Sequence, residues 1–166
     1  MITQFGHLAF TCQDLEASVK FYRDVLGLKQ KFTIYYGDWL DHMKKTAAAE
    51  GRELPAEMLE SLEAKRGTAW IAYFEIGEGA FVELFDKGGA TELFVPDGRY
   101  FNYQHMSLVT DDIFALEKQL IERGATIDSA PALGLETTWQ MWSHDPDGNK
   151  IEFMQYTPTS WQLIGR

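Results

Sequence analysis

Cysteine is nearly absent: Cys12 stands alone among 166 residues. No disulfide can form within the chain, and a zinc centre built from several thiolates is excluded. The one thiol is expected as a small buried apolar side chain. Long apolar runs are missing too. No stretch approaches the roughly 20 apolar residues that span a bilayer, and residues 1–7 lack the basic start and apolar core of a signal peptide. The expected location is the cytoplasm. Positive charge is scarce, with 15 Lys and Arg against 25 Asp and Glu and a formal net charge of −10. Such a balance argues against nucleic acid or an anionic membrane as partner.

What is present suffices for one folded domain. At this length a chain buries roughly 70% of its unfolded surface, and 45% hydrophobic against 24% charged residues is ordinary globular composition.

An internal repeat organises the rest. Residues 68–85 overlie residues 137–154: Thr68 meets Thr137, Trp70 meets Trp139, Gly79 meets Gly148 and Glu83 meets Glu152. Tyr73 falls on Trp142 and Glu78 on Asp147. Each copy predicts a strand, a Gly-containing acidic turn and a returning strand with one carboxylate between apolar neighbours. Further upstream, Phe5–Asp14 overlies Tyr103–Asp112, which places His105 over His7. In both places a first strand carries the His, and an Asp caps the helix that follows. In the first copy the strand is expected over Ile2–Thr11 and the helix continues through Leu15, Val19, Tyr22 and Leu26 to a stop at Gly27. In the second copy Ile113, Leu116 and Leu120 form the apolar stripe, and Gly124 ends the helix. A strand over Leu28–Tyr36 and a short one over Ala125–Asp128 come next, the latter followed by a loop through Pro131 and Gly134.

Residues 37–66 have no counterpart in the second copy. They predict two helices, separated at Gly51 and with Pro55 in the first turn of the second. Their apolar faces should pack on something. Without them both copies run strand with His, helix, strand, hairpin with Glu, as expected of a duplication with one insertion.

Taken singly, a strand His is usually a hydrogen-bonded or exposed residue, and a Glu between apolar neighbours marks a solvated sheet face. Taken together, His7, Glu83, His105 and Glu152 supply two imidazoles and two carboxylates, a set suited to a divalent cation. A cation would also offset the cost of burying the carboxylates. The repeat alone leaves both readings open.

At these residues the chain resembles the vicinal oxygen chelate superfamily, which includes lactoylglutathione lyase (glyoxalase I), bleomycin-resistance proteins and extradiol dioxygenases. The most specific piece is Asp145-Pro-Asp-Gly-Asn-Lys-Ile-Glu152, joined by His105, Asp112 and the helix from Glu16 to Gly27. The resemblance covers all but the insertion. It implies an α+β fold of two βαβββ modules, residues 1–90 (with the helical insertion 37–66) and 91–166, forming one compact domain. Their strands would make a cupped mixed sheet of about eight, with helices outside.

Glyoxalase I has a metal ligand at each of the four positions, so the resemblance implies that His7, Glu83, His105 and Glu152 bind one divalent ion per site, Ni, Zn, Co or Mn. It also implies metal-stabilised enediolate chemistry on a small-molecule substrate such as a thiol–2-oxoaldehyde hemithioacetal, with Glu152 as the catalytic proton shuttle. The family usually pairs subunits, which implies a homodimer. Substrate contacts are expected at Thr11, Lys87, Phe101, Gln140 and Trp142. The first three stand where glyoxalase I commonly has Arg, Asn and Arg, so its grip on glutathione is not recognisable here. Two rivals remain. An Fe(II) extradiol dioxygenase uses two His and one carboxylate, and Glu83 is one carboxylate too many. A non-catalytic resistance-type binding protein would have no need of the ligand set. His42, His144 and Glu136 are expected as ordinary surface or packing residues.

Overall fold

The computed structural model describes residue 1, residues 3–90 and residues 103–165. Its contacts sort the chain into two units, Met1–Val19 with Leu28–Gly89 and Lys20–Gly27 with the described part of residues 90–165.

In unit 1, β1 (His7–Cys12) alternates exposed His7, Ala9 and Thr11 with partly buried Leu8 and Phe10, the period-two pattern of a strand with one face covered. It starts at His7 rather than at Ile2, and residues 3–6 are all exposed. Asp14 then accepts the Ala17 N–H at 3.0 Å, which caps α1 (Leu15–Lys20). The helix departs from the expected course after Lys20. Phe21–Val25 form a wider π-helical turn, in which the Leu26 N–H reaches back to the Phe21 carbonyl at 3.0 Å. One extra residue in the turn shifts the side chains that follow; Tyr22 within it is fully buried.

Four strands make the first sheet: β1, β2 (Lys29–Tyr35), β3 (Ala69–Gly77) and β4 (Ala80–Asp86), in the order β1-β4-β3-β2. First and last strands pair in parallel, and the other pairs are antiparallel. β4 lies between β1 and β3, and its Val82, Glu83 and Leu84 are buried in succession. The insertion forms α2 (Tyr36–Glu50) and α3 (Ala56–Ala64), with Gly51 at φ +64° ending the first. Buried Tyr36, Leu40 and Leu62 form its core, with Trp39, Met43, Met58, Leu59 and Trp70 packed around them. Trp39 stacks on Trp70 of β3 at 4.5 Å, and the Tyr36 hydroxyl donates to Asp86 of β4 at 2.6 Å. The apolar faces of the insertion therefore pack on one another and on the hairpin of unit 1. Gly37 is required at this junction: a Cβ there would lie 2.9 Å from the Arg66 carbonyl oxygen.

Unit 2 repeats the plan with β5 (Met106–Val109), α4 (Ile113–Glu122), β6 (Ile127–Leu133), β7 (Trp139–His144) and β8 (Lys150–Gln155), followed by α5 (Trp161–Ile164). The sheet order is β5-β8-β7-β6, again with one parallel pair. Asp112 caps α4, accepting the N–H groups of Phe114 and Ala115 at 3.1 and 2.9 Å. Ile113 and Leu120 are fully buried. Two expectations need correcting here. His105 precedes β5 by one residue instead of lying within it. The strand expected over Ala125–Asp128 runs from Ile127 through Pro131 to Leu133. Proline is tolerated there because β6 is an edge strand and its register shifts between Ser129 and Ala132.

The α+β fold of two βαβββ modules is thus present, as two four-stranded mixed sheets. No helix among the described residues is long and apolar enough to cross a membrane.

Candidate functional site

In each sheet the parallel pair of first and last strands creates the arrangement of interest. β1 runs beside β4 with His7 opposite Phe81 and Ala9 opposite Glu83. Because alternate residues share a face, His7, Ala9 and Thr11 lie on the same side as Phe81, Glu83 and Phe85. His7 Nδ1 is 3.2 Å from Glu83 Oε1. In unit 2, Ser107 lies opposite Glu152, and His105, two residues earlier, brings its Nε2 to 3.3 Å from Glu152 Oε2.

Both carboxylates are 95% buried, each residue retaining 5% of its accessible surface. A buried carboxylate without a partner is costly; here each faces an imidazole. The imidazoles themselves reach solvent, with the His7 side chain 55% and the His105 side chain 35% exposed.

Donor chemistry and spacing fit a divalent ion. Ligands roughly 2.0–2.2 Å from a metal and at right angles to one another are about 3 Å apart, and the two nitrogen–oxygen separations are 3.2 and 3.3 Å. Each pair supplies two donors. Within either unit, among the described residues, no three His, Cys, Asp or Glu side chains gather as a larger cluster.

The residue across the ladder from each carboxylate differs. Tyr73 of β3 stands opposite Glu83 and hydrogen-bonds to it. Burial, then that hydrogen bond and the Glu83 charge, push the Tyr73 hydroxyl up to about 12. Phe32 stacks on the Tyr73 ring at 4.2 Å, and Phe81 meets it edge-on at 6.2 Å. Trp142 of β7 stands opposite Glu152, with its ring edge-on to His105 at 4.8 Å.

The family described as Glyoxalase/Bleomycin resistance protein/Dioxygenase superfamily matches residues 4–153. The chain belongs to this family. A protein from Vibrio parahaemolyticus serotype O3:K6, described as a probable lactoylglutathione lyase, is 27% identical over 161 residues, covering 96% of this chain and 95% of its own. A lactoylglutathione lyase from Haemophilus influenzae is 26% identical over 158 residues, covering 94% and 95%. Among solved structures, a glyoxalase/dioxygenase from Nostoc punctiforme superposes with a TM-score of 0.61 at 20% identity over 93% of this chain and 91% of that one, a likeness of fold.

For a glyoxalase-superfamily chain the remaining expected substrate contacts are scattered. Thr11 is exposed on the His7 face of β1. Lys87 is exposed just beyond β4. Gln140, partly buried on β7, donates to Glu136. Phe101 lies outside the described residues. Among the described ones, Trp142 is placed against a donor residue, His105. Of the others, His42 is exposed on α2, and His144 pairs with Asp128 at 2.9 Å.

Two functional-looking features escaped sequence reasoning. Tyr73 was visible as the counterpart of Trp142, but its contact with Glu83 depends on cross-strand register. Asp145, which opens the family motif, is a buried turn residue with a structural role that its residue type does not announce. It accepts from the Asp147 and Asn149 N–H groups at 3.0 and 2.9 Å, from the Asn149 side chain at 2.9 Å and from the Tyr22 hydroxyl at 3.1 Å.

Proposed function

We propose that this chain is a metal-dependent lyase or isomerase of glyoxalase I type, working as a cytoplasmic homodimer. Its substrate is a small molecule with oxygens on adjacent carbons, such as the hemithioacetal of a thiol and a 2-oxoaldehyde. The observation that carries the reading is the twofold occurrence of a buried carboxylate at ligand spacing from a solvent-reaching imidazole. The lactoylglutathione lyase relatives support the same reaction class.

His7, Glu83, His105 and Glu152 would together hold one divalent ion per site, Ni, Zn, Co or Mn. Such an ion, when bound, supplies Lewis acidity that stabilises negative charge on the two adjacent substrate oxygens. The chain's own part is proton transfer. Glu152 takes a proton from one substrate carbon and returns it to the neighbouring carbon. The Glu152 side chain is itself buried, which limits the access of water to the carboxylate. Trp142 forms an apolar wall, while Thr11, Lys87, Phe101 and Gln140 are the remaining substrate contacts. Thr11 and Lys87 do not reproduce the glutathione-gripping side chains of glyoxalase I, so the thiol is to be found by screening.

Protein purified without chelator should carry about one divalent ion per site by elemental analysis. It should isomerise at least one of a panel of thiol–methylglyoxal adducts, and Glu152→Gln should abolish that turnover while retaining the fold. Protein that holds no metal and is as inactive as Glu152→Gln across the panel overturns the reading.

A further inference from the structure

The two half-sites are copies in register but not in support. Opposite Glu83 stands a phenol that hydrogen-bonds to the carboxylate. Opposite Glu152, at the repeat-equivalent place, stands an indole whose ring lies against the imidazole. The Tyr73 ring has little freedom to aim its hydroxyl elsewhere, since Phe32 stacks on it at 4.2 Å and Phe81 abuts it edge-on. Ligand carboxylates held by a further hydrogen bond are oriented before the ion arrives, and loss of that bond commonly costs 10–100-fold in metal affinity. A proton carrier needs the opposite: its carboxylate must leave one atom and reach another.

We infer that Tyr73 is the positioning residue of the first half-site, fixing Glu83 as a permanent ligand, and that Trp142 braces His105 so that the movable carboxylate is Glu152. The inference rests on the four-donor reading above and adds a physical reason for the unequal roles of its two carboxylates. The Tyr73 hydroxyl does not enter the reaction. It acts through Glu83, and the specific contact is supplied by one oxygen atom that Tyr73→Phe deletes while keeping the ring between Phe32 and Phe81.

The test uses full-length wild type, Tyr73→Phe and Trp142→Tyr, stripped with chelator and titrated with Ni²⁺ by calorimetry, then assayed on the adduct panel. Tyr73→Phe is expected to stay folded, melting somewhat below the metal-free wild type, and to bind Ni²⁺ about 10–100-fold more weakly. Trp142→Tyr places a phenol opposite Glu152, and its kcat should fall at least about tenfold with KM little changed, the pattern of a lost transition-state contribution. Wild type that takes up no Ni²⁺ overturns the four-donor reading and this inference together. Wild type that binds Ni²⁺ while Tyr73→Phe binds it equally well overturns the inference alone. So does an unchanged kcat in Trp142→Tyr.

Discussion

In unit 1 the strands on either side of the hairpin stay paired up to Gly77 and Ala80, and Gly79 at φ +72° closes the turn, its carbonyl accepting from the Gln4 side chain at 3.4 Å. In unit 2 pairing stops at His144 and Lys150, and the intervening loop is folded around the Asp145 side chain. Yet Tyr73 faces Glu83 just as Trp142 faces Glu152. The repeat retains strand register, which sets where the carboxylates lie, and lets turn chemistry and cross-strand neighbours diverge. A one-residue slip would send each Glu to the opposite face of its sheet. The turns are under no such constraint.

The sharpest way to break the comparison is to neutralise each carboxylate separately. Glu152→Gln should lower kcat by roughly 10²–10⁴-fold, the usual worth of a positioned acid–base group, with metal content kept. Glu83→Gln should instead show its main effect in metal affinity. If steady-state kinetics and metal analysis give the two variants the same profile, the half-sites have equal roles.

The turns come next. Asp145→Ala removes one buried and three part-buried hydrogen bonds to a carboxylate and should cost about 3 kcal/mol. Glu78→Ala, on the exposed turn of unit 1, should stay within about 0.5 kcal/mol of wild type. Urea melts of the two variants measure the contrast directly.

The insertion gives unit 1 a pH signature through Tyr36 at its start. Tyr36 is pushed from 10.0 to about 12, first by burial and then by the Asp86 carboxylate that accepts its proton. Because the folded value lies above the unfolded one, the stabilisation is complete below pH 10 and is lost as pH rises towards 12. Tyr36→Phe should flatten the alkaline limb of a stability–pH curve. The smallest effect is expected at acid pH. Arg66 donates to Asp41 and Glu63 and holds both carboxyls below their usual values. That contribution is present above the ordinary carboxylate range and fades as pH falls through it, so Arg66→Ala should slightly soften the acid limb. These groups are at the surface, where ion pairs are worth little.

Much of this architecture could be inferred from sequence because it is periodic or punctuated. Alternation in β1, the Asp14 and Asp112 caps, Gly51 and the matching of Glu83 with Glu152 are local signals. The features that escaped are those fixed by distant partners. The π-helical turn at Phe21–Val25 follows ordinary helical spacing in sequence. Pro131 suggested a loop because only the sheet order reveals that β6 is an edge. Tyr73 matched Trp142 position for position, and neither residue type discloses that one contacts a carboxylate and the other an imidazole. The apolar run around Glu83 is equally compatible with a solvated face, whereas the folded sheet buries the carboxylate opposite Tyr73.

The bond between Tyr22 and Asp145 has a consequence for dissection of the protein. Tyr22 comes from the first repeat, but its segment Lys20–Gly27 belongs by contacts to unit 2. A gene cut between the repeats would therefore not release two self-sufficient halves. The C-terminal fragment would carry Asp145 without the phenol that helps complete its hydrogen bonding, and adding back a peptide spanning residues 13–28 is the complementation such a fragment would call for.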